Sequence, residues 1–297
     1  MSERDGGGTI AILGAGGIMG SAVAATARLR GYSLRLYNRT PRRLEGVAGP
    51  SDVVSSTPAD AARSANAVLS FVTDDEASER VWFGPDGAAG VIGRDVSAIE
   101  CSTLSPGHVA SWARRLDDVG ADPVAAPVTG SREGAATGRL VVFAGGRPES
   151  IDRAAPLLES LSCAIYRFPT PADAARVKLI NNLLGCTILV ALAEALALAD
   201  GAGLDPGELV EIFAQHGWGS PVARGRGMAM CSGDDDDPAC TVETIAKDYR
   251  YALAEAASMG LELRAARSAA EAFESTSAAG FGARDMAAVR RIYREAR

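Results

Sequence analysis

Gly14-Ala15-Gly16-Gly17-Ile18-Met19-Gly20 follows the short apolar run Thr9–Leu13 and precedes an Ala-rich helical segment, 21–29. A run of that kind ending in glycine suits a buried parallel strand. Gly31 closes the helical segment, and Ser33–Tyr37 reads as a second strand, which completes a β-α-β unit of about thirty residues. Glycines after a first strand permit a tight turn, let backbone N–H groups approach a pyrophosphate, and let the helix pack on the strand. The spacing departs from G-x-G-x-x-G. Gly14, Gly16 and Gly20 make it one residue longer, whereas Ala15, Gly17 and Gly20 keep it with alanine in first place.

The strand pattern continues from this unit. Residues 67–72 form another apolar strand candidate, 96–101 and 124–126 weaker ones, and 140–144 a β-rich run before Gly145-Gly146. Strands alternating with helical stretches imply an α/β fold with a doubly wound parallel sheet. The texture changes near residue 170. Residues 172–202 form one long helical pattern, apolar nearly all round and so expected to be buried on most sides. Helical patterns follow at Pro206–Gln215, 242–259, 263–278 and 283–295, separated by Gly and Pro clusters. Two domains are therefore expected, a nucleotide-binding domain at 1–170 and an all-helical substrate and dimerisation domain at 171–297.

Composition narrows the function classes. The 297 residues carry 30 Lys and Arg against 37 Asp and Glu, a net charge of −7, which disfavours a general nucleic-acid or anionic-membrane binder. The five cysteines show no C-x-x-C spacing and read as buried thiols of a reducing compartment, so a cytoplasmic location is expected. The first eight residues are polar and Gly-rich, read as frayed rather than as a signal peptide. Glu194 interrupts the apolar run 183–199, which reads as a buried helix rather than a membrane span. His108 and His216 lack ligand spacing, so no metal site is expected. Asp234-Asp235-Asp236-Asp237 reads as a solvated loop, because it lacks the glycine and distal glutamate of a calcium loop. Trp218, between two glycines, fits a pocket wall or a core position equally.

Two further stretches carry chemistry. The second strand ends in Asn38-Arg39-Thr40, where an NAD site would place an acidic residue on the ribose. Arginine instead suits a 2′-phosphate, with Arg42 and Arg43 extending the positive potential, so NADP(H) is expected over NAD(H). Lys178 lies in the long apolar helix, three residues before Asn181 and four before Asn182, which places them on one face or close to it. A desolvated lysine has a lowered pKa and becomes a usable acid-base group; a solvated lysine in the helix's exposed first turns is the rival reading. Thr129-Gly130-Ser131 follows Pro127-Val128, where two hydroxyls and a glycine backbone can grip a carboxylate.

Together with Cys101-Ser102-Thr103-Leu104-Ser105-Pro106, Ala126-Pro127-Val128-Thr129-Gly130-Ser131 and Lys247-Asp248, these pieces make nearly the whole chain resemble the β-hydroxyacid dehydrogenase family. That family includes 3-hydroxyisobutyrate dehydrogenase and the glyoxylate and succinic semialdehyde reductases. The resemblance implies an N-terminal Rossmann domain, a long interdomain helix and an all-α C-terminal domain of the 6-phosphogluconate dehydrogenase kind. It implies that Lys178 is the catalytic acid-base, that Thr129 and Gly130 contact the substrate acid with Ser131 nearby, and that Asn182 orients substrate or lysine, with Asn181 beside it. It places Val72, Thr73, Thr103 and Lys247 at the nicotinamide side. The chain departs from the family pattern at Ala125, where aspartate is usual, at Thr129, where serine is commoner, and at Ser131, which is similar to the glyoxylate and succinic semialdehyde reductase branch. The expected activity is hydride transfer between NADP(H) and a small 3-hydroxy acid or aldehyde acid, by a homodimer or larger homo-oligomer. The rivals are an imine or other secondary-metabolite reductase on the same fold, against which Lys178 argues, and a non-catalytic NADPH-binding protein.

Overall fold

A computed structural model describes residues 8–94, 96–216 and 219–294. Trp218 lies outside the described residues. The chain divides into two compact units, Met1–Lys178 and Leu179–Arg297.

The first unit holds a nine-stranded sheet: β1 (Thr9–Leu13), β2 (Ser33–Tyr37), β3 (Val53–Val54), β4 (Ala67–Ser70), β5 (Ser97–Glu100), β6 (Asp122–Ala125), β7 (Val128–Thr129), β8 (Leu140–Gly145) and β9 (Ser162–Phe168). The order is β3-β2-β1-β4-β5-β6-β8-β7, with β9 paired to β8. From β3 to β6 every pair is parallel. The chain leaves β1 toward β2 and β3 on one side and returns through β4 on the other. The crevice at that reversal, at the carboxyl ends of β1 and β4, is where open α/β sheets bind ligands.

Side chains alternate across each strand, so one strand feeds two cores. Ile10 and Ile12 face a layer containing Val23, Ala27, Leu36 and Leu158, whereas Ala11 and Leu13 face Trp82, Trp112 and Leu116. Trp82 and Trp112 are buried and meet edge to face with centroids 5.5 Å apart. Both faces of the sheet are covered, as a parallel sheet requires.

The far side of the sheet differs from the expected parallel pattern. β8 runs antiparallel to β6 and β7, while β9 is parallel to β8. A short connection, with a single helical turn at Arg132–Ala136, returns β7 to β8; antiparallel neighbours need no long crossover. β9 has only partly buried and exposed positions and lacks the continuous apolar run that marks the central strands.

The long helix runs Pro171–Ala202. Ala174 and Ala175 belong to the sheet core, and Leu189, Leu192, Ala193 and Leu196 belong to the helical core of the second unit, with Val242, Tyr249 and Phe273. It is long and apolar enough to cross a bilayer, yet only 39% of its most apolar window is buried. Burial on most sides is therefore corrected: Ile180, Leu184 and Leu198 are 64%, 62% and 76% exposed within one chain. A helix apolar all round gives no indication of which faces find partners in its own chain.

The second unit adds helices Pro206–Gln215, Val242–Ser258 and Arg264–Thr276. The helix expected at 283–295 is instead a 3₁₀ segment, Met286–Arg290, followed by Arg291–Arg294, because Asp285 caps the earlier turn through Ala287 N–H. Helical turns also cover Ser220–Ser232, a glycine-interrupted stretch without a readable period. Asp235 corrects the solvated-loop reading. It is 2% exposed and receives Arg291 Nε at 2.7 Å, anchoring its loop. Cys163 is exposed, against the expectation of buried thiols throughout, because it lies on the open face of β9.

Two glycines set the turn after β1. Gly14 has φ +87°, and a Cβ there would stand 2.0 Å from the Phe71 carbonyl oxygen; a Cβ on Gly20 would stand 2.4 Å from the Gly14 carbonyl oxygen. The first makes the tight turn, and the second lets the helix lie against the strand end. Gly17 meets only Gly14 O, at 3.3 Å. The positions closed to a Cβ thus include Gly14 and Gly20, the two ends of the longer spacing. Gly14→Ala should lower stability by about 1–3 kcal/mol, as overpacking of a filled site does. Urea unfolding followed through the Trp82–Trp112 near-UV signal checks it, and an unchanged midpoint would exclude this turn geometry.

Candidate cofactor and substrate site

The turn ties two strand ends together and leads into a helix without a side-chain cap. Gly14 and Ala15 N–H donate to Tyr37 O at 2.8 and 3.1 Å, tying the end of β1 to the end of β2. Helix Ile18–Leu29 then begins with Gly17 as N-cap, without a side-chain cap and without an acidic residue in its first turn. The neighbouring helices Asp75–Phe83 and Pro106–Asp118 are capped by Asp74 and Ser105. First-turn N–H groups with no side-chain acceptor, at the positive end of a helix, suit a pyrophosphate.

Asn38 closes the turn from the side. Its Oδ1 accepts from Gly16 N at 3.2 Å and its Nδ2 donates to Thr40 O at 2.9 Å. Asn38 thus shapes the loop with both ends of its amide engaged. Arg39, Thr40, Arg42 and Arg43 are exposed. Among the described residues no carboxylate pairs with Arg39, Arg42 or Arg43, although the chain pairs most of its other arginines in this unit, such as Arg28 with Asp52 and Arg115 with Glu79. Three unneutralised guanidinium groups beside the end of β2 make a local basic patch on an acidic protein.

Val72 and Thr73 follow β4, and Thr103 follows β5, at the same carboxyl edge. Val72 N donates to Ser102 Oγ at 2.8 Å, and Thr73 Oγ1 donates to Asp74 Oδ2 at 2.9 Å. The sequence marks Ser102 only by its place between Cys101 and Thr103.

Thr129 ends β7, half-buried, while Gly130 and Ser131 are exposed. Gly130 has φ +138°, which redirects the chain from β7 into Arg132–Ala136. Ser131 Oγ accepts from Gly134 N at 3.0 Å as the cap of that turn, which leaves its hydroxyl hydrogen to donate.

Lys178 is buried at 8% exposure and closes the first unit. The helix continues unbroken into Asn181 and Asn182. Asn181 Nδ2 donates to Asn182 Oδ1 at 3.1 Å, and Asn182 Nδ2 donates to Asp248 Oδ2 at 2.6 Å. Asp248 is 4% exposed, and its other oxygen stands 3.0 Å from Lys247 Nζ. Lys247 also lies 5.3 Å from the Tyr251 ring. A buried carboxylate is thus shared between an amide and an ammonium, the pairing that burying charge requires. Asp248, which the sequence offers only as part of the Lys247-Asp248 piece of the family resemblance, orients Asn182. One turn away, Thr187 Oγ1 lies 2.9 Å from the Tyr249 hydroxyl, and burial pushes that phenol up, so it stays protonated.

In the second unit, a mostly apolar groove of about 220 Å³ is lined by Asn181, Asn182, Gly185, Cys186, Val222 and Met286. Among the described residues, no cluster of three or more His, Cys, Asp or Glu side chains could hold a metal.

Residues 9–168 match the NAD binding domain of 6-phosphogluconate dehydrogenase, and residues 172–293 match the NAD-binding domain of NADP-dependent 3-hydroxyisobutyrate dehydrogenase. The chain is similar to an uncharacterized oxidoreductase of Bacillus subtilis, 32% identical over 94% of this chain and 98% of that protein. It is 27% identical to glyoxylate/succinic semialdehyde reductase 2 of Arabidopsis thaliana, over 97% of this chain and 80% of that relative. The crystal structure of 3-hydroxyisobutyrate dehydrogenase from Salmonella typhimurium has the same fold, with a TM-score of 0.87 and 26% identity over 96% of this chain and 99% of that one. The strand order, the uncapped glycine turn and these matches along both units agree: the chain belongs to the β-hydroxyacid dehydrogenase family and is an NAD(P)-dependent oxidoreductase acting on CH–OH groups.

Proposed function

We propose that the protein is an NADP(H)-dependent reductase or dehydrogenase of a small 3-hydroxy acid or aldehyde acid, with Lys178 as general acid-base. The observation that carries this reading is a buried lysine in an apolar helix whose next turn presents Asn182, itself held by Asp248. The bound nicotinamide supplies the hydride in reduction and takes it in oxidation. Lys178 Nζ gives a proton to the substrate oxygen as the carbonyl is reduced, and takes it back in the reverse direction. Asn182 orients the reacting oxygen or the lysine, with Asn181 fixing the amide from the preceding position. Thr129, Gly130 and Ser131 hold the substrate carboxylate through two hydroxyls and a backbone N–H. Lys247, on the strength of the family resemblance, serves the nicotinamide side, as do Val72, Thr73 and Thr103. The named activity of the Arabidopsis relative, on glyoxylate and succinic semialdehyde, supports the substrate class. A panel of small aldehyde acids, read by NADPH loss, tests it; inactivity on every member would sink this reading.

The exposed stripe of Ile180, Leu184 and Leu198 supports a homodimer or larger homo-oligomer. Sedimentation of the purified chain as a monomer at working concentration would contradict this.

The three unneutralised arginines support NADP(H) over NAD(H). Hydrogen bonds to charged groups contribute about 1.5–3 kcal/mol, so Arg39→Asp should weaken NADPH by on the order of ten- to hundredfold and spare NADH. Equal affinity of the unmodified protein for both cofactors, measured by fluorescence titration, would remove the basis for this assignment.

Two variants separate grip from proton transfer. Lys178→Met keeps length and apolar packing but has no transferable proton, so turnover should fall by about 10²–10⁴-fold while NADPH binding survives. Lys178→Arg should not restore it, because guanidinium keeps its proton. Thr129→Val should act mainly on KM. Steady-state kinetics decide: a folded Lys178→Met enzyme turning over at a near-normal rate would rule out the lysine mechanism.

A further inference from the structure

Glu100 is the last residue of β5 and is 1% exposed. Its Oε2 accepts from Ser78 Oγ and from Trp82 Nε1, each at 2.9 Å, and its Oε1 accepts from Ser102 N at 3.0 Å. Among the described residues no cation pairs with it. A buried carboxylate without a counter-charge carries a desolvation penalty of several kcal/mol, which an apolar side chain at the same place would avoid. Stability alone is thus a poor reason for it. The indole and peptide N–H groups can only donate, so both oxygens are used as acceptors, as a carboxylate provides. Burial, and then the Glu100 charge, push the neighbouring Cys101 thiol well above its ordinary value, which leaves that thiol inert.

What Glu100 holds lies at the ligand-binding edge of the sheet. Ser102, fixed by Glu100 through its N–H, accepts from Val72 N through its Oγ at 2.8 Å. Trp82 Nε1 also reaches Ser70 Oγ at 3.1 Å, so the same network grips β4 from below. Asp75 makes a second link, accepting from Ser105 N at 2.9 Å and Ser105 Oγ at 2.6 Å. The loops that follow two adjacent parallel strands, Val72-Thr73 after β4 and Ser102-Thr103 after β5, are thereby joined into one rigid piece, anchored on a charge in the core.

We propose that Glu100 is a positioning residue for hydride transfer: it fixes the Val72-Thr73 and Ser102-Thr103 loops against the nicotinamide ring, while the glycine turn holds the phosphates. This rests on the reading that those loops face the nicotinamide. Sub-ångström placement is what such a device contributes, since displacement of about 1 Å can cost on the order of 10²-fold in rate.

The test uses the full chain with Glu100→Gln, which keeps the volume but turns one acceptor into a donor facing donors, and Ser102→Ala, which keeps Glu100 and removes only the hydroxyl that receives Val72 N–H. Calorimetry measures affinity for NADPH and for 2′-phospho-ADP-ribose, which has no nicotinamide. Kinetics measure kcat and KM on the best aldehyde acid. In both variants we expect kcat to fall by about 10–100-fold, the NADPH affinity to drop toward that of the fragment, and the fragment's own affinity to hold. The two changes should be non-additive when combined, as for residues in one hydrogen-bond chain. Equal losses for both ligands, or unchanged kcat and NADPH affinity with only a lower melting temperature, would overturn the proposal and leave Glu100 a core residue. Should Glu100→Gln fail to fold, Ser102→Ala alone decides by the same readouts. If the unmodified protein binds NADPH no more tightly than the fragment, the placement of the nicotinamide fails instead, and the positioning role falls with it.

Discussion

The approach of Gly14 to the Phe71 carbonyl at the carboxyl end of β1 is the constraint on which the cofactor unit depends. No Cβ fits there, and a left-handed φ turns the chain at once into the helix that Gly20 lets lie on the strand end. That contact lies where the paired carboxyl ends of β1 and β4 meet, at the point where the strand order reverses. The uncapped helix start, the Asn38 loop and the Val72 loop lie beside it. A bulkier turn would push the helix off the strand and widen the crevice that the ligand must fill.

Polar satisfaction then divides the loops by task. The helix starts after β4 and β5 are capped by Asp74 and Ser105, so those caps already occupy first-turn N–H groups. The helix after the glycine turn has no such cap. The same contrast holds for the arginines. Those that join elements of this unit, such as Arg28 and Arg35, are paired with Asp52 and Asp60, while those after β2 are unneutralised. Exposed, unneutralised donors cost little in water, and they are the groups that gain when an anion arrives.

In the helical unit the charges are handled in the opposite way. Asp248 is buried between Asn182 and Lys247, and Arg290, 1% exposed, is tied to Asp200 at 2.7 Å and to Met230 O at 2.8 Å. Buried pairs of this kind add little net stability, but they fix geometry, because breaking one leaves an uncompensated charge. The orientation of Asn182 is thus set from another helix, sixty-six residues away in sequence.

Much of the fold was legible in the chain itself. β1 and β2, the helix Pro206–Gln215, the glycine turn and the long helix follow from runs and periods that are local, and local steric rules decide them. The change from alternating strands to helices near 170 was readable for the same reason. Tertiary structure alone decided the rest. The antiparallel return of β8, the strand β9 with no apolar run, the stripe of the long helix left uncovered, the burial of Asp235, and the joining of Asn182 to Asp248 and of Glu100 to Ser102 and Val72 all depend on which distant groups meet. Sequence patterns report a residue's own preference for water or core. They carry no information about which partner, far along the chain, satisfies a buried charge or covers an apolar face, because that is a pairwise energy realised only once the chain has closed on itself.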